Sequence, residues 1–130
     1  MKATSIKIHP LPSDDKEPIK KEVGQLSVDI YYTDKEIVIL APIAGVDKDN
    51  IHLSVTDDVL VIRGERTLIE NVPEENYYTK ECFWGNFSRS IVLPEEAETK
   101  NISAGFENNV LEVRIPKGEK EHTKIIKIKT

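Results

Sequence analysis

The side chains with the widest chemical range are few: His9, His52 and His122, the single Cys82, and the acidic pair Asp57-Asp58. Imidazole is a common metal ligand, so three histidines could hold a metal if the fold gathered them. They are spread over an N-terminal arm, a strand and a C-terminal tail, and no metal centre is expected. Cys82 with His52 could form a thiol–imidazole dyad, which needs an electropositive pocket to depress the thiol pKa. The chain around them is acidic, so the expectation is an inert, buried or half-buried thiol. Asp57 and Asp58 are neighbours on a turn and do not converge as acid and base. No Gly-rich phosphate loop is present, so nucleotide hydrolysis is not expected. Tyr77, Tyr78 and Trp84 could stack on a sugar or a base, but they sit where a sheet would use them for packing. The reading is a protein that is not an enzyme and carries no cofactor.

With catalysis set aside, the elements that hold these residues decide the reading. The 130 residues amount to one domain. Ile and Val total 27, against 8 Leu and 5 Ala. Branching at Cβ suits a pleated, half-buried surface, and no stretch offers an amphipathic helix of normal length. The fold class is therefore all-β. The net charge of −5 hides a split. Residues 26–116 hold eight basic against seventeen acidic side chains, whereas residues 117–130 hold five Lys against two Glu. An acidic body with basic ends is a poor partner for nucleic acid or an anionic membrane. Apolar runs are far short of the ~20 residues that span a bilayer. The first residues lack the apolar stretch of a secretory signal, which makes the cytoplasm the expected compartment.

Residues 1–25, with Pro10, Pro12 and Pro18, read as a flexible arm in which Ile6-Lys7-Ile8 could be extended. Leu26 to Tyr32 alternates, with Leu26, Val28, Ile30 and Tyr32 on one face. Glu36 to Ala41 has the near-continuous apolar pattern of a central strand. In Asn50 to Val55, Ile51, Leu53 and Val55 should face inward and His52 and Ser54 outward. Asp57-Asp58 turns the chain into Val59–Gly64. Residues 66–76 form a long acidic loop whose Leu68-Ile69 could pair as an extra strand. Tyr77 to Phe83 reads as extended, and Phe87 to Leu93 as a strand stopped by Pro94. Asn101–Phe106 and Val110–Ile115 form a hairpin around Asn108-Asn109, a pair suited to positive φ. Residues 118–130 are a charged tail around Ile125-Ile126-Lys127-Ile128. Short strands at regular spacing predict a β-sandwich.

Five ordered motifs carry a resemblance, four of them within residues 26–117, about 70% of the chain. They are Ala44-Gly45-Val46 through Ile51, Val59 through Arg66, Gly85-Asn86-Phe87 through Pro94, and Ile102-Ser103-Ala104 with Asn109 through Lys117. The fifth is Ile126-Lys127-Ile128 in the tail. Together they resemble the alpha-crystallin domain of small heat-shock proteins, an immunoglobulin-like β-sandwich. The chain departs from that pattern at Ala44, where Pro is usual, and at Asp58 and Asn109, where Gly is usual at hairpin turns. Asp and Asn are the next best residues for left-handed backbone. Cys82 stands where a basic residue is common.

The resemblance implies an ATP-independent chaperone that holds partly unfolded client proteins, as a homo-oligomer built from dimers. Ile126 and Ile128 would then lie in a neighbouring subunit's groove, between the family's fourth and eighth strands, lined by Leu53, Val55, Ile102 and Ala104. The alternative is a last strand of the same domain. Residues 66–76, with Leu68 and Ile69, would cross to a partner's sheet; otherwise they are an acidic excursion. Arg89 alternates with Phe87 and Ile91 on an apolar face and wants a carboxylate. The resemblance puts it in a dimer-interface charge network with Glu81 or an acid of the partner, and the alternative is a solvated arginine. A monomeric co-chaperone of related sandwich fold, docking an ATP-driven chaperone, is the competing function.

Overall fold

The run Ile37-Val38-Ile39-Leu40-Ala41 has no polar face, so it can be placed only where both sides of a strand are covered. In the computed structural model, which describes residues 4–5, 23–118 and 126–129, it forms β4 (Glu36–Pro42), flanked on both sides. The other strands are β1 (Thr4–Ser5), β2 (Gly24–Gln25), β3 (Asp29–Tyr32), β5 (Ile51–Thr56) and β6 (Val59–Arg66). They are followed by β7 (Gly85–Val92), β8 (Ser103–Glu107) and β9 (Val110–Pro116). One sheet has the order β1-β8-β9-β4-β3 and the other β2-β7-β6-β5. Every pairing is antiparallel except β2 with β7. The only helical pieces among the described residues are 3-10 turns at Lys48–Asn50, Glu74–Asn76 and Thr99–Asn101. The all-β sandwich read from composition is the architecture found.

Register explains the core. Ile37 pairs with Ile115, Ile39 with Val113 and Ala41 with Leu111, so six apolar side chains share one face. On the other sheet Leu53 pairs with Ile62 and Leu60 with Ile91. All of these are buried in one cluster, each burial contributing up to ~1.5–3 kcal/mol for an Ile, Leu or Val side chain. Val38 points the other way yet is also fully buried. It lies in register between Tyr31 and Arg114, and the Arg114 guanidinium is held by both Glu36 and Glu112. Those carboxylates raise the arginine pKa further and fix its long side chain across the strand pair. Being exposed, such a pair adds only about 0–1 kcal/mol by itself.

The turns follow from residue type. Asn108 and Asn109 both take left-handed backbone, φ 54° and 61°, which makes the two-residue hairpin between β8 and β9 of the kind whose twist matches its strands. Between β5 and β6 the left-handed residue is Asp57, φ 55°, rather than the expected Asp58. Either carboxylate tolerates that conformation, and the register that pairs Thr56 with Val59 selects which residue adopts it.

Three further expectations are corrected. Leu26–Tyr32 is not one strand: β2 belongs to one sheet and β3 to the other, and the chain crosses between layers at 26–28. Leu26 is buried beside β7, donating its amide to the Ser88 carbonyl at 3.1 Å, while Ile30 and Tyr32 are exposed. Alternation reports which side chains share a face, not whether the opposite layer reaches that face. Ser54, expected outward, is buried. Residues 77–83 carry no strand, and Cys82 is exposed because its loop contributes nothing to the core around it.

Gly64 shows how closely the sheet packs. A Cβ there would lie 2.3 Å from the Phe87 ring and 3.0 Å from the Asn50 carbonyl oxygen. Gly64→Ala must therefore displace a buried aromatic side chain. It should destabilise the domain by about 1–3 kcal/mol, read as a lower urea midpoint with unchanged slope.

Candidate functional site

The sandwich leaves apolar strand surface uncovered at one end. Ile30 and Tyr32 pair with Ile39 and Ile37 and so share their face of the sheet. Ile39 and Ile37 are buried, yet Ile30 is 47% and Tyr32 76% exposed. The second sheet thus stops short of β3. The Lys117 ammonium lies 4.3 Å from the centre of the Tyr32 ring and caps part of it. Tyr31, on the outer face, is exposed as well. β3 is also the last strand of its sheet among the described residues, so one row of its backbone donors and acceptors has no strand partner.

The long connection between β6 and β7 is the second apolar surface. It holds Leu68, Ile69, Tyr78 and Trp84, all exposed, with Ile69 at 96% and Tyr78 fully in solvent. Within the chain Leu68-Ile69 joins no strand, and the aromatics do not pack on the chain's own sheet as expected. The loop nevertheless has internal order. Lys80 donates to Glu74 at 2.8 Å, and its ammonium lies 5.0 Å from the Tyr77 ring centre. The Glu74 carboxylate holds the Lys80 pKa above its ordinary value.

Arg66 anchors this loop. Its Nε donates to the Ala44 carbonyl at 2.7 Å, its Nη1 to the Phe83 carbonyl at 3.2 Å, and the guanidinium stacks 5.5 Å from the Phe87 ring centre. Gly45, with φ 73°, makes the turn that offers the Ala44 carbonyl. Sequence reasoning gave Arg66 no role. The available signal was its place two residues after Gly64 on the inward-facing side of β6, where a guanidinium must find polar partners. Arg89 obeys that rule: half-buried between Phe87 and Ile91, its Nη1 donates to the Leu26 carbonyl at 3.1 Å. Within the chain no ion pair among the described residues joins it to Glu81, which is exposed on the loop.

The remaining sequence candidates fall at strand edges and in the tail. Leu53 and Val55 lie on β5, the outermost strand of its sheet. Leu53 is fully buried in the core, whereas Val55, Ile102 and Ala104 are half-buried and packed against it. Ala104 is on β8 and Ile102 immediately precedes that strand; among the described residues β8 is followed outward by the two residues of β1. Ile126 and Ile128 take no strand and are 79% and 91% exposed. His52 is exposed on β5, and His9 and His122 lie outside the described residues. Among the described residues no three His, Cys, Asp or Glu side chains are grouped as metal ligands. No helix among them is long and apolar enough to cross a membrane. Among the described residues, exposed apolar side chains thus lie on β3, in the β6–β7 connection and at Ile126 and Ile128.

A sequence model described as the Hsp20/alpha crystallin family matches residues 29–129. This chain belongs to that family. It is similar to small heat shock protein C4 of Rickettsia felis, with 35% identity over 77% of this chain and 61% of that one. It also resembles a 17.5 kDa class I heat shock protein of Glycine max, at 38% over 71% of this chain and 61% of the other. The match thus spans about three fifths of those relatives' own length. A probable 15 kDa heat shock protein of Leptospira interrogans is matched over 93% of its length at 30% identity. Among solved structures, HspA from Xanthomonas axonopodis has a TM-score of 0.65 at 34% identity, covering 72% of this chain and 93% of that one. A small heat-shock protein from Xylella fastidiosa has a TM-score of 0.66 at 28%, covering 81% and 96%. The sandwich described above is therefore an alpha-crystallin domain, as its ordered motifs implied.

In this alpha-crystallin domain Arg66 joins three elements at the base of the loop, so its loss should loosen the loop before the core. Arg66→Met should leave two carbonyls without their donor and destabilise the fold by about 1–3 kcal/mol. Limited proteolysis should show faster cleavage within residues 67–84, and cleavage at the wild-type rate would refute the anchoring role.

Proposed function

We propose that this chain is an ATP-independent holdase chaperone, which as an oligomer built from dimers binds partly unfolded proteins and keeps them from aggregating. One observation carries the reading: an apolar, unpaired strand edge at β3 and an apolar, unpaired loop at Leu68-Ile69 are exposed in the same chain. Each is the kind of surface the other needs. A loop strand added to β3 of a second chain would satisfy its free backbone groups and cover Ile30 and Tyr32. The reciprocal contact makes a two-fold dimer. Arg89 has its Nη1 on the Leu26 carbonyl, and a carboxylate from the partner's loop, with Glu81 as the candidate, completes its surroundings.

Assembly beyond the dimer goes through the tail. Ile126 and Ile128 stand at alternate positions, so in an extended tail both would enter a groove lined by Val55, Ile102 and Ala104 while Lys127 stays in water; Leu53, expected in that lining, lies buried beneath it in the core. The basic tail is drawn to the acidic body, and apolar burial holds it there. When a tail leaves, it uncovers an apolar strip that competes for the exposed side chains of an unfolding protein. Heat shifts that population without any bond being made or broken. Clients and further copies of the chain are the partners, in the cytoplasm, and the acidic body keeps nucleic acid and anionic membranes away.

Aggregation of a heat-labile protein, followed by light scattering, should be suppressed at a near-equimolar ratio without ATP, and added ATP should change nothing. Undiminished scattering would refute the holdase. Leu68→Ser with Ile69→Ser should leave the domain folded and raise the dimer dissociation constant about a hundredfold, from ~3 kcal/mol of lost burial. Ile126→Ser with Ile128→Ser should instead stop assembly at the dimer, as read by size-exclusion light scattering. A large oligomer that survives that change would show that the tail is not the link.

A further inference from the structure

The β6–β7 connection and the β3 edge are separate surfaces, yet one aromatic side chain joins their roots. Phe83, near the end of the connection, lies over Gly24: a Cβ on Gly24 would meet three atoms of the Phe83 ring at 2.6, 2.7 and 3.0 Å. Gly24 does not have left-handed backbone, so what glycine supplies there is close approach rather than φ. A Cβ on Gly85 would lie 3.8–3.9 Å from the same ring, which is therefore seated between two glycine backbones. The Phe83 carbonyl is fixed as well, accepting from Arg66. Phe83 is half-buried, whereas Tyr78, Cys82 and Trp84 in the same stretch are exposed. What the ring covers is a strap along the edge of β7. Gly24 and Gln25 pair with Phe87 and Ser88, the Leu26 amide donates to the Ser88 carbonyl, and the Leu26 carbonyl accepts from Arg89. A two-residue ladder holds little by itself, so the contacts at its ends carry it. Phe83 closes one end and Arg89 the other. Three residues beyond Leu26 the chain enters β3, whose edge exposes Ile30 and Tyr32.

We propose that Phe83 on Gly24 is a latch that couples the β6–β7 connection to β3 of the same chain, so that the loop a chain offers and the edge it presents are set together. The coupling runs through contacts that are all in place: ring to strap by packing, strap to β7 by hydrogen bonds, and strap to β3 by a short length of chain. When the connection is drawn away, the ring leaves Gly24, the strap loses one of its two ends, and the entry to β3 is freed. A partner that fixes the connection seats the ring and fixes that entry. In a two-fold dimer each chain gives a loop and receives one, so the latch makes the two contacts cooperative. The second contact forms on an edge that the first has already set. This cooperativity rests on the dimer reading above, whereas the latch does not.

The test uses the full chain with Ile126→Ser and Ile128→Ser, which confines assembly to the dimer. Adding Leu68→Ser with Ile69→Ser then allows the latch to be read within one chain. In that chain Phe83→Ala should speed hydrogen exchange of the Leu26 amide at least about tenfold and leave β4 and β9 unchanged. Unchanged exchange at Leu26 would overturn the latch. Gly24→Ala perturbs the same contact from the strap, and should speed cleavage within residues 67–84 in limited proteolysis. It should do so only while Phe83 is present, because the Phe83→Ala chain has no ring to displace. An equal effect in both backgrounds would mean that strap and connection loosen separately, and would also overturn the latch. With native Leu68 and Ile69, Phe83→Ala should raise the dimer dissociation constant about tenfold, read by analytical ultracentrifugation. Unchanged affinity would overturn the cooperativity. If the chain with native Leu68 and Ile69 forms no dimer, the dimer reading falls and the cooperativity with it, while exchange and cleavage still decide the latch. A lowered urea midpoint with faster exchange throughout β9 would mean that Phe83→Ala had loosened the whole domain. Phe83→Leu, which keeps an apolar side chain over Gly24, would then have to speed Leu26 exchange with β9 unchanged for the proposal to stand.

Discussion

A sheet that does not close on itself must leave strand edges, and every edge carries backbone donors and acceptors that want a partner. This constraint governs the whole molecule. The two layers differ in extent, so the inward face of β3 projects past the opposing sheet and exposes Ile30 and Tyr32. A soluble monomer usually blunts such an edge with charge, proline or a bulge. Here the edge strand is Asp-Ile-Tyr-Tyr, with one charge at its start. An edge that is apolar and unpaired in one copy is a surface to which another strand can add.

The core makes that exposure tolerable. Ile37, Ile39 and Ala41 on β4 pack in register with Ile115, Val113 and Leu111 on β9, and none of this depends on β3 being covered. The fold can therefore hold an incomplete outer strand without unravelling. Two arginines separate the rigid centre from its periphery. Arg66 ties the Gly45 turn and the end of the loop to the face of Phe87, and Arg89 ties the crossing segment at Leu26 to β7. Both sit on inward-facing positions, where a charged group must be satisfied by fixed carbonyls, so both hold backbone that would otherwise drift.

On the proposed reading, assembly surfaces of this kind work by reversible competition. The exposed apolar segments outside the core, Leu68-Ile69 in the loop and Ile126 with Ile128 in the tail, are short, and on that reading neither buries enough to bind irreversibly. Exchange among these occupants and the exposed side chains of an unfolding protein would then be a matter of population, which temperature and concentration both move. On the same reading the acidic body and basic tail would affect how fast a tail is recaptured more than how tightly it is held.

The sequence by itself determined the fold class, most strand positions and the family. These follow from local chemistry: β-branched runs cannot be satisfied by helices, and paired Asn or Asp residues accept left-handed backbone. It also singled out Leu68, Ile69, Ile126 and Ile128, because apolar residues amid charge stand out without any structure, and all four are exposed. Only the tertiary structure decided what depends on how far one layer reaches over the other. Alternation placed Ile30 and Tyr32 on the face of Leu26, but the chain changes sheets between them, so Leu26 is buried and the other two are not. Cys82 and Tyr78 looked like packing residues until the loop proved to lie off the core. The partner carbonyls of Arg66 and Arg89 lie far away in sequence, at Ala44, Phe83 and Leu26, and the pairing of β1 with β8 joins residues about a hundred positions apart. Contacts of that separation leave no periodic trace in a single sequence, because they are set by the packing of layers rather than by the conformation of any one strand.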